Sequence, residues 1–266
     1  MSRPIITLTT DFGTADGYLA QMKGTILGIN ADVQIVDVTH AIPPQDVEHA
    51  AGILDDIVDA FPRQTIHLVV VDPGVGTGRR IVAAETKTQR FVAPDNGLLT
   101  AVLARDSVQR AIEIDTTALP SRTISNTFHG RDVMAPVAAY WSLDRDPVEF
   151  GNPLGEPLCT LSARNPQLLD DRIVGKIVRR DRFGNLITNI RETDLFNIDR
   201  NRLRLRIGSR SIVGLHSHYA ARPVGTLLML IGSSGRLEIA VNSGSAAEQL
   251  AADAGTEVEL LLNEQL

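Results

Sequence analysis

Residues 5–39, IITLTTDFGTADGYLAQMKGTILGINADVQIVDVT, decide the fold class. β-branched runs at Ile5 to Thr10 and Val33 to Thr39 flank a stretch from Asp16 to Ile29 with apolar residues at helical spacing, ending at Asn30. Strand, helix and strand in that order predict a βαβ unit and hence parallel pairing. The pattern continues outward. A second amphipathic helix is expected over Asp46 to Ala60, where Val47, Ala50, Leu54, Ile57 and Val58 recur on one face. Further strands are expected at Thr65 to Asp72, Ile81 to Thr86, Arg90 to Ala93 and Ala111 to Thr116, and a helix over Val133 to Trp141. Together these predict an α/β domain with a largely parallel sheet.

Residues 151–171 carry three prolines and two glycines with no sustained periodicity, as a connection between domains would. The boundary is therefore set at 1–160 for an N-terminal α/β domain and 161–266 for a C-terminal one. The second half has seven short strand-like runs, at Ile173 to Arg179, Leu186 to Ile190, Leu203 to Ile207, Ser211 to Leu215, Thr226 to Ile231, Leu237 to Val241 and Glu257 to Leu262. Such a series predicts an antiparallel barrel or sandwich. Arg202, Arg204 and Arg206 alternate with Leu203, Leu205 and Ile207, which reads as a solvated strand face opposite a buried one.

The 266 residues carry a formal net charge of −6. That balance argues against a general affinity for nucleic acid or for an anionic membrane and suits a cationic small ligand. The single cysteine, Cys159, precludes an intrachain disulfide and is compatible with a cytoplasmic location; its simplest role is a small apolar filler. No signal peptide is evident, and the longest apolar runs, such as Leu227 to Ile231, fall far short of the ~20 residues of a membrane helix.

Polar clusters stand where buried strands end, the usual place for ligands in open α/β sheets. Asp11, within Thr9-Thr10-Asp11-Phe12-Gly13, suits either a ribose hydroxyl acceptor or a turn. No glycine-rich loop, strand lysine or catalytic loop accompanies its Asp-Phe-Gly string, so a kinase is excluded. The stretch DPGVGTGRR (72–80) lacks the spacing of a phosphate-binding loop and leads into a strand. Its glycines instead suit a tight loop that returns Arg79 toward Asp72, a carboxylate and guanidinium pair that is either functional or a structural ion pair. His129 precedes a helix beside Gly130, which permits close approach, and Asp132 suits a helix cap.

In the second half, Phe183 and Asn185 suit stacking and amide contact with a purine, or simply a hairpin turn. Glu238 lies among apolar strand neighbours and is expected to face inward. His216 and His218 share an expected strand face, but no third metal ligand stands nearby, and no metal site is expected. Asp11, Asp72, Asp95 and His129 offer an alternative, a metal-dependent phosphoesterase.

Six motifs, TTDFG (9–13), DPGVGTGRR (72–80), PDNG (94–97), TFHGRD (127–132), FGN (183–185) and SSGRLEIAVNSGSAA (233–247), together resemble the S-adenosyl-L-methionine hydrolase (adenosine-forming) family. These proteins are also called SAM hydroxide adenosyltransferases and are relatives of the fluorinase and chlorinase. The resemblance spans nearly the whole chain. It implies a Rossmann-like N-terminal domain, a smaller β-barrel, and a homotrimer holding S-adenosyl-L-methionine between domains of neighbouring subunits, with no further cofactor. It further implies that Asp72, Arg79 and His129 form the water-activating triad, with His129 or Asp72 as base. Asp11 matches the ribose-binding aspartate, Phe183 and Asn185 the adenine-contacting turn, Ser233, Glu238 and Val241 positions lining the ligand, and Asp181 the contact to the methionine ammonium. Val241 replaces a basic residue typical of the fluorinase, and no long insertion occurs near residue 90, so a hydrolase is expected over a halogenase. The rival expectation is a module that binds adenosine or S-adenosylmethionine with negligible turnover.

Overall fold

The computed structural model describes residues 3–120, 123–161, 165–196, 199–200 and 202–262, so residues 162–164 of the expected connection lie outside the described residues. The chain divides into two units after Leu161. In chain order, the first unit contains β1 (Ile5–Thr10), α1 (Tyr18–Ile29), β2 (Gln34–Thr39), α2 (Val47–Ile57), β3 (Ile66–Val70), β4 (Ile81–Thr86) and β5 (Arg90–Pro94). It continues with α3 (Thr100–Leu103), β6 (Val108–Ile114), α4 (Ala135–Trp141) and β7 (Gly151–Pro153).

These strands form one sheet in the order β2-β1-β3-β5-β4-β6-β7. The pairs β1 with β2, β1 with β3, and β3 with β5 are parallel, whereas β5 with β4, β4 with β6, and β6 with β7 are antiparallel. The sheet is therefore mixed rather than largely parallel. Parallel neighbours need a crossover of a dozen or more residues, and the three-residue link from Thr86 to Arg90 can only make a hairpin.

Burial on both faces makes the unit three-layered. Leu68 and Val70 on β3 join one apolar cluster with Met22 and Ile26 of α1 and Val137, Ala138 and Trp141 around α4. Val69 and Val71 join the opposite cluster with Ala50, Ala51 and Leu54 of α2 and Val102 of α3. This alternation along one strand is the period-two rule, and complete burial on both sides explains why β3 is apolar except for the buried His67. The Asp46 carboxylate caps α2 by accepting from the His49 amide at 2.9 Å, whereas α1 has no side-chain cap. β3 ends at Val70, and two residues further on, at Asp72, the candidate site begins.

The second unit contains β8 (Gln167–Leu168), β9 (Arg172–Arg180), β10 (Leu186–Arg191), β11 (Arg204–Ile207), β12 (Arg210–Val213), β13 (Leu215–His216), β14 (Leu227–Ile231), β15 (Arg236–Val241), α5 (Ala246–Leu250) and β16 (Glu257–Leu261). Its sheet runs β12-β11-β16-β9-β10-β15-β14-β13, with β8 added on β9, and every pair is antiparallel except β13 with β14. The sheet curls far enough for β12 to lie against β14. Ile177, Leu186, Leu205, Met229, Ile239 and Leu260 fill its interior. Glycine at 214 breaks the expected Ser211 to Leu215 strand in two, and His218 lies beyond β13 at the start of a short 3-10 turn. His216 and His218 thus do not share a strand.

Candidate functional site

In the first unit, the loop after β3 folds back on itself. Val75 N–H donates to the Asp72 carbonyl at 3.2 Å, and Thr77 donates to the Gly74 carbonyl through both its amide (3.1 Å) and its hydroxyl (2.6 Å). Gly76 has φ +78°, and a Cβ there would stand 2.3 Å from the Asn126 carbonyl oxygen. Only glycine allows that approach, which brings the 72–80 loop against the segment carrying His129. The return of the chain places Arg79 over Asp72.

Arg79 Nε lies 3.0 Å from each Asp72 carboxylate oxygen, and its Nη2 donates to Asp72 Oδ2 as well. The same Nη2 reaches His129 Nδ1 at 2.9 Å. Both ion-pair side chains are largely buried, at 12% exposure for Arg79 and 5% for Asp72. A guanidinium has only donors, so His129 Nδ1 must accept, and the imidazole proton resides on Nε2. Burial and then the Arg79 charge hold His129 below the usual histidine pKa, although Asp72 and Asp132 pull the other way. The histidine is thus a neutral ring that offers an N–H.

His129 leads into a π-helical turn, Gly130–Met134, continuous with α4. A Cβ on Gly130 would stand 3.2 Å from Val70, 3.4 Å from Met22 and 3.6 Å from the Phe12 ring, so glycine lets this turn settle on the end of β3. Asp132 is not the expected helix cap. It is buried inside the turn, accepting from the Ser125 amide at 2.9 Å and from Arg131 at 2.7 and 2.9 Å.

A cleft of about 400 Å³ is lined by Phe12, Tyr18, Gln21, Ser125, Thr127, Phe128 and Arg131. The rings of Phe12, Tyr18 and Phe128 meet with centroids 5.3–5.9 Å apart. Sequence reasoning passed over these residues, although Phe12 and Phe128 sit inside two of the motifs it singled out. Asp11 is half-buried, and its Oδ2 accepts from the Gln45 amide at 2.8 Å. Asp95 is taken up elsewhere: Arg80 forks onto it and the Cys159 amide donates to it at 2.8 Å. Asp72 and Asp95 are each matched to an arginine, and among the described residues no three His, Cys, Asp or Glu converge as a metal site would require.

The second unit presents its own polar surface. Asp181, Phe183 and Asn185 form the turn between β9 and β10. Asp181 Oδ1 accepts from the Phe183 and Asn185 amides at 2.9 and 2.8 Å, and its Oδ2 accepts from Asn185 Nδ2 at 2.9 Å. This Asx arrangement, with Gly184 at φ +83°, leaves the Phe183 ring 78% exposed and buries Asn185. Glu238 is buried on β15 and accepts from Tyr219 Oη at 3.0 Å. Tyr219 is pushed up to about 12 by burial, the Glu238 charge and hydrogen bond, and the Asp181 charge. Gly232 makes room for the Glu238 carboxylate, since a Cβ there would stand 1.8 Å from Oε1. Ser233 is exposed and Val241 buried. The neighbouring Ser234 Oγ is buried without a hydrogen-bond partner among the described residues. No sequence signal distinguished Tyr219.

Residues 6–151 match the SAM hydroxide adenosyltransferase N-terminal domain and residues 175–259 its C-terminal domain. A protein named (R)-S-adenosyl-L-methionine hydrolase from Salinispora arenicola is 36% identical over 262 residues, covering 97% of this chain and 98% of its own length. Another of that name from Thermus thermophilus is 38% identical over 266 residues, 97% of this chain and 100% of its own. The crystal structure of an uncharacterized conserved protein from Thermotoga maritima superposes with a TM-score of 0.89 at 36% identity, covering 96% of this chain and 99% of that one.

Proposed function

Since the chain belongs to the SAM hydroxide adenosyltransferase family, we propose that it hydrolyses S-adenosyl-L-methionine to adenosine and L-methionine through attack of water on the ribose 5′ carbon. The observation that carries the mechanism is Arg79, which holds Asp72 and His129 in one hydrogen-bonded unit.

The new bond joins the water oxygen to the 5′ carbon, and the carbon–sulfur bond breaks with its electron pair going to sulfur. Methionine then leaves as a neutral thioether and needs no general acid. The difficulty is the nucleophile. Water with a pKa of 15.7 lies about 12 kcal/mol from hydroxide at pH 7, at ~1.36 kcal/mol per unit. Three side chains do not bridge that gap in the ground state, so proton removal accompanies attack. Because His129 Nδ1 is occupied by Arg79 and its Nε2 carries the proton, His129 orients the water as a donor and Asp72 receives the proton. Holding the oxygen in line about 3 Å from carbon supplies much of the remaining acceleration.

Asp11 accepts from the ribose hydroxyls through the oxygen that Gln45 leaves open. Phe183 stacks on adenine and Asn185 contacts its edge, while Ser233, Glu238 and Val241 line the ligand. Asp181 meets the methionine ammonium mainly through its charge, since its turn already draws on both oxygens. The parallel half of the first sheet supports a Rossmann-like description of that unit, and the curled second sheet supports a barrel. The family resemblance supports a homotrimer with the site between neighbouring subunits, and the single cysteine is compatible with a cytoplasmic location. No cofactor enters this chemistry.

A time course of purified protein with excess S-adenosylmethionine tests the reading. Adenosine and methionine should accumulate in equal amounts well beyond one equivalent of protein. Binding without multiple turnover would favour the ligand-binding module instead.

A further inference from the structure

The parallel pairing of β1 and β2 slips between Leu8 and Thr9, so that Leu8 faces Asp37 but Thr9 faces Thr39. Irregularities at strand ends re-aim side chains. Here the slip brings fully buried Thr10 beside His40, which is 7% exposed. Thr10 Oγ1 lies 2.9 Å from His40 Nδ1 and accepts from the Phe12 amide at 3.3 Å. His40 Nε2 lies 3.1 Å from Asp37 Oδ1, a charge–dipole contact lying off the axis of an aligned hydrogen bond. Lys23 of α1 holds the other Asp37 oxygen at 2.6 Å.

The protons in this chain have one consistent arrangement. The Asp37 carboxylate favours a hydrogen on Nε2, which leaves Nδ1 to accept the Thr10 hydroxyl proton. The Thr10 oxygen is then free to accept from Phe12. The His40 carbonyl also accepts from the Gly13 amide at 2.8 Å, and five residues on the Gln45 amide, at φ +66°, donates to Asp11 Oδ2 at 2.8 Å. The loop after β2 therefore grips residues 10–13 on both sides of Asp11. We propose that His40, through Thr10, is a positioning residue that fixes the Asp11 carboxylate in its substrate-binding orientation. This rests on the reading of Asp11 as the ribose acceptor.

Thr10→Val exchanges only the hydroxyl for a methyl group, and His40→Leu removes both ring contacts. Each should weaken adenosine binding, followed by calorimetry, about tenfold. Each should raise KM for S-adenosylmethionine by a similar factor while kcat falls less than threefold. Thr10→Ser and His40→Asn, which retain the hydroxyl and an acceptor in place of Nδ1, should return within threefold of wild type. The double variant Thr10→Val/His40→Leu should be no worse than either alone, because both break one chain of contacts. Amide exchange at Phe12 and Gly13 reads the loop directly and should quicken in Thr10→Val while global stability is retained. Unchanged exchange or unchanged adenosine affinity in folded Thr10→Val overturns the proposal, as does a loss confined to kcat. If His40→Leu does not fold, Thr10→Val decides. Should wild type itself fail to bind adenosine, the ribose reading falls, and the exchange experiment still decides whether His40 braces the loop.

Discussion

Replacing Arg79 with lysine keeps the positive charge and removes the fork. Arg79 reaches both Asp72 oxygens from Nε at 3.0 Å, and from Nη2 it reaches Oδ2 and His129 Nδ1, the latter at 2.9 Å. A single ammonium at the end of a flexible stem cannot satisfy two partners that the planar guanidinium holds at once. At least two charge-assisted hydrogen bonds are lost, worth ~1.5–3 kcal/mol each before water takes part of their place. Loss of one preorganised donor elsewhere in catalysis costs about 10²–10³ in kcat, and the same range is expected here. KM should stay within about threefold, because the triad acts on the water and not on the adenosyl or methionyl groups. Stability should change little with lysine present. Arg79→Met, by contrast, leaves the largely buried Asp72 carboxylate unpaired and should cost about 3–5 kcal/mol in urea unfolding. Steady-state adenosine release, followed chromatographically, gives both kinetic constants. Arg79→Lys with kcat within threefold of wild type, or with its loss entirely in KM, would refute the assignment.

The remaining predictions use the same assay or simple titrations. His129→Gln keeps an acceptor for Arg79 and an N–H for the water, so it should lose about tenfold in kcat, whereas His129→Ala should lose a hundredfold or more; equal losses would make His129 the base. His129 is held below the ordinary histidine pKa and must be neutral to accept from Arg79, so the acid limb of kcat should fall below pH 6.5. His67, fully buried between Phe61 and Phe91, is lowered from 6.5 to about 4 mainly by burial, against an opposing interaction with the Gln89 side chain. The unfolded chain therefore takes up this proton first, and stability contributed by His67 is complete above pH 6.5 and lost as pH falls toward 4. The loss is about 3 kcal/mol at ~1.36 kcal/mol per unit, and it should be missing from His67→Asn when unfolding is compared at pH 7 and pH 4. Phe183→Ala should weaken adenosine binding by ~1–3 kcal/mol, the range for a base on an aromatic ring, and unchanged affinity would remove Phe183 from the adenine site.

Local patterns carried much of the fold. The βαβ opening was legible because the β-branched runs of β1 and β2 flank a stretch with Leu19, Met22, Ile26 and Ile29 at helical spacing, and α2 because Asp46 caps an apolar stripe. The sheet's change of direction was present as a three-residue link between β4 and β5, but alternation of strands and helices elsewhere outweighed it. The pairing of Asp72 with Arg79 could be read from seven residues of glycine-rich loop. That His129 completes it depends on Gly76 passing the Asn126 carbonyl, a contact across some fifty residues that no local pattern encodes. Asp132 misled because an acidic residue ahead of an apolar helix usually caps it; here a π-helical turn moves the helix start back and draws the carboxylate inside. Tyr219 escaped notice because its partner Glu238 lies nineteen residues away and faces it only once β14 and β15 have paired.

The measurement that bears most directly on the central claim is the origin of the oxygen in the product. Turnover of S-adenosylmethionine in oxygen-18 water should place one label on the 5′ hydroxyl of adenosine and none in methionine, because water attacks carbon and the carbon–sulfur bond breaks. Unlabelled adenosine, or no adenosine at all, would contradict it.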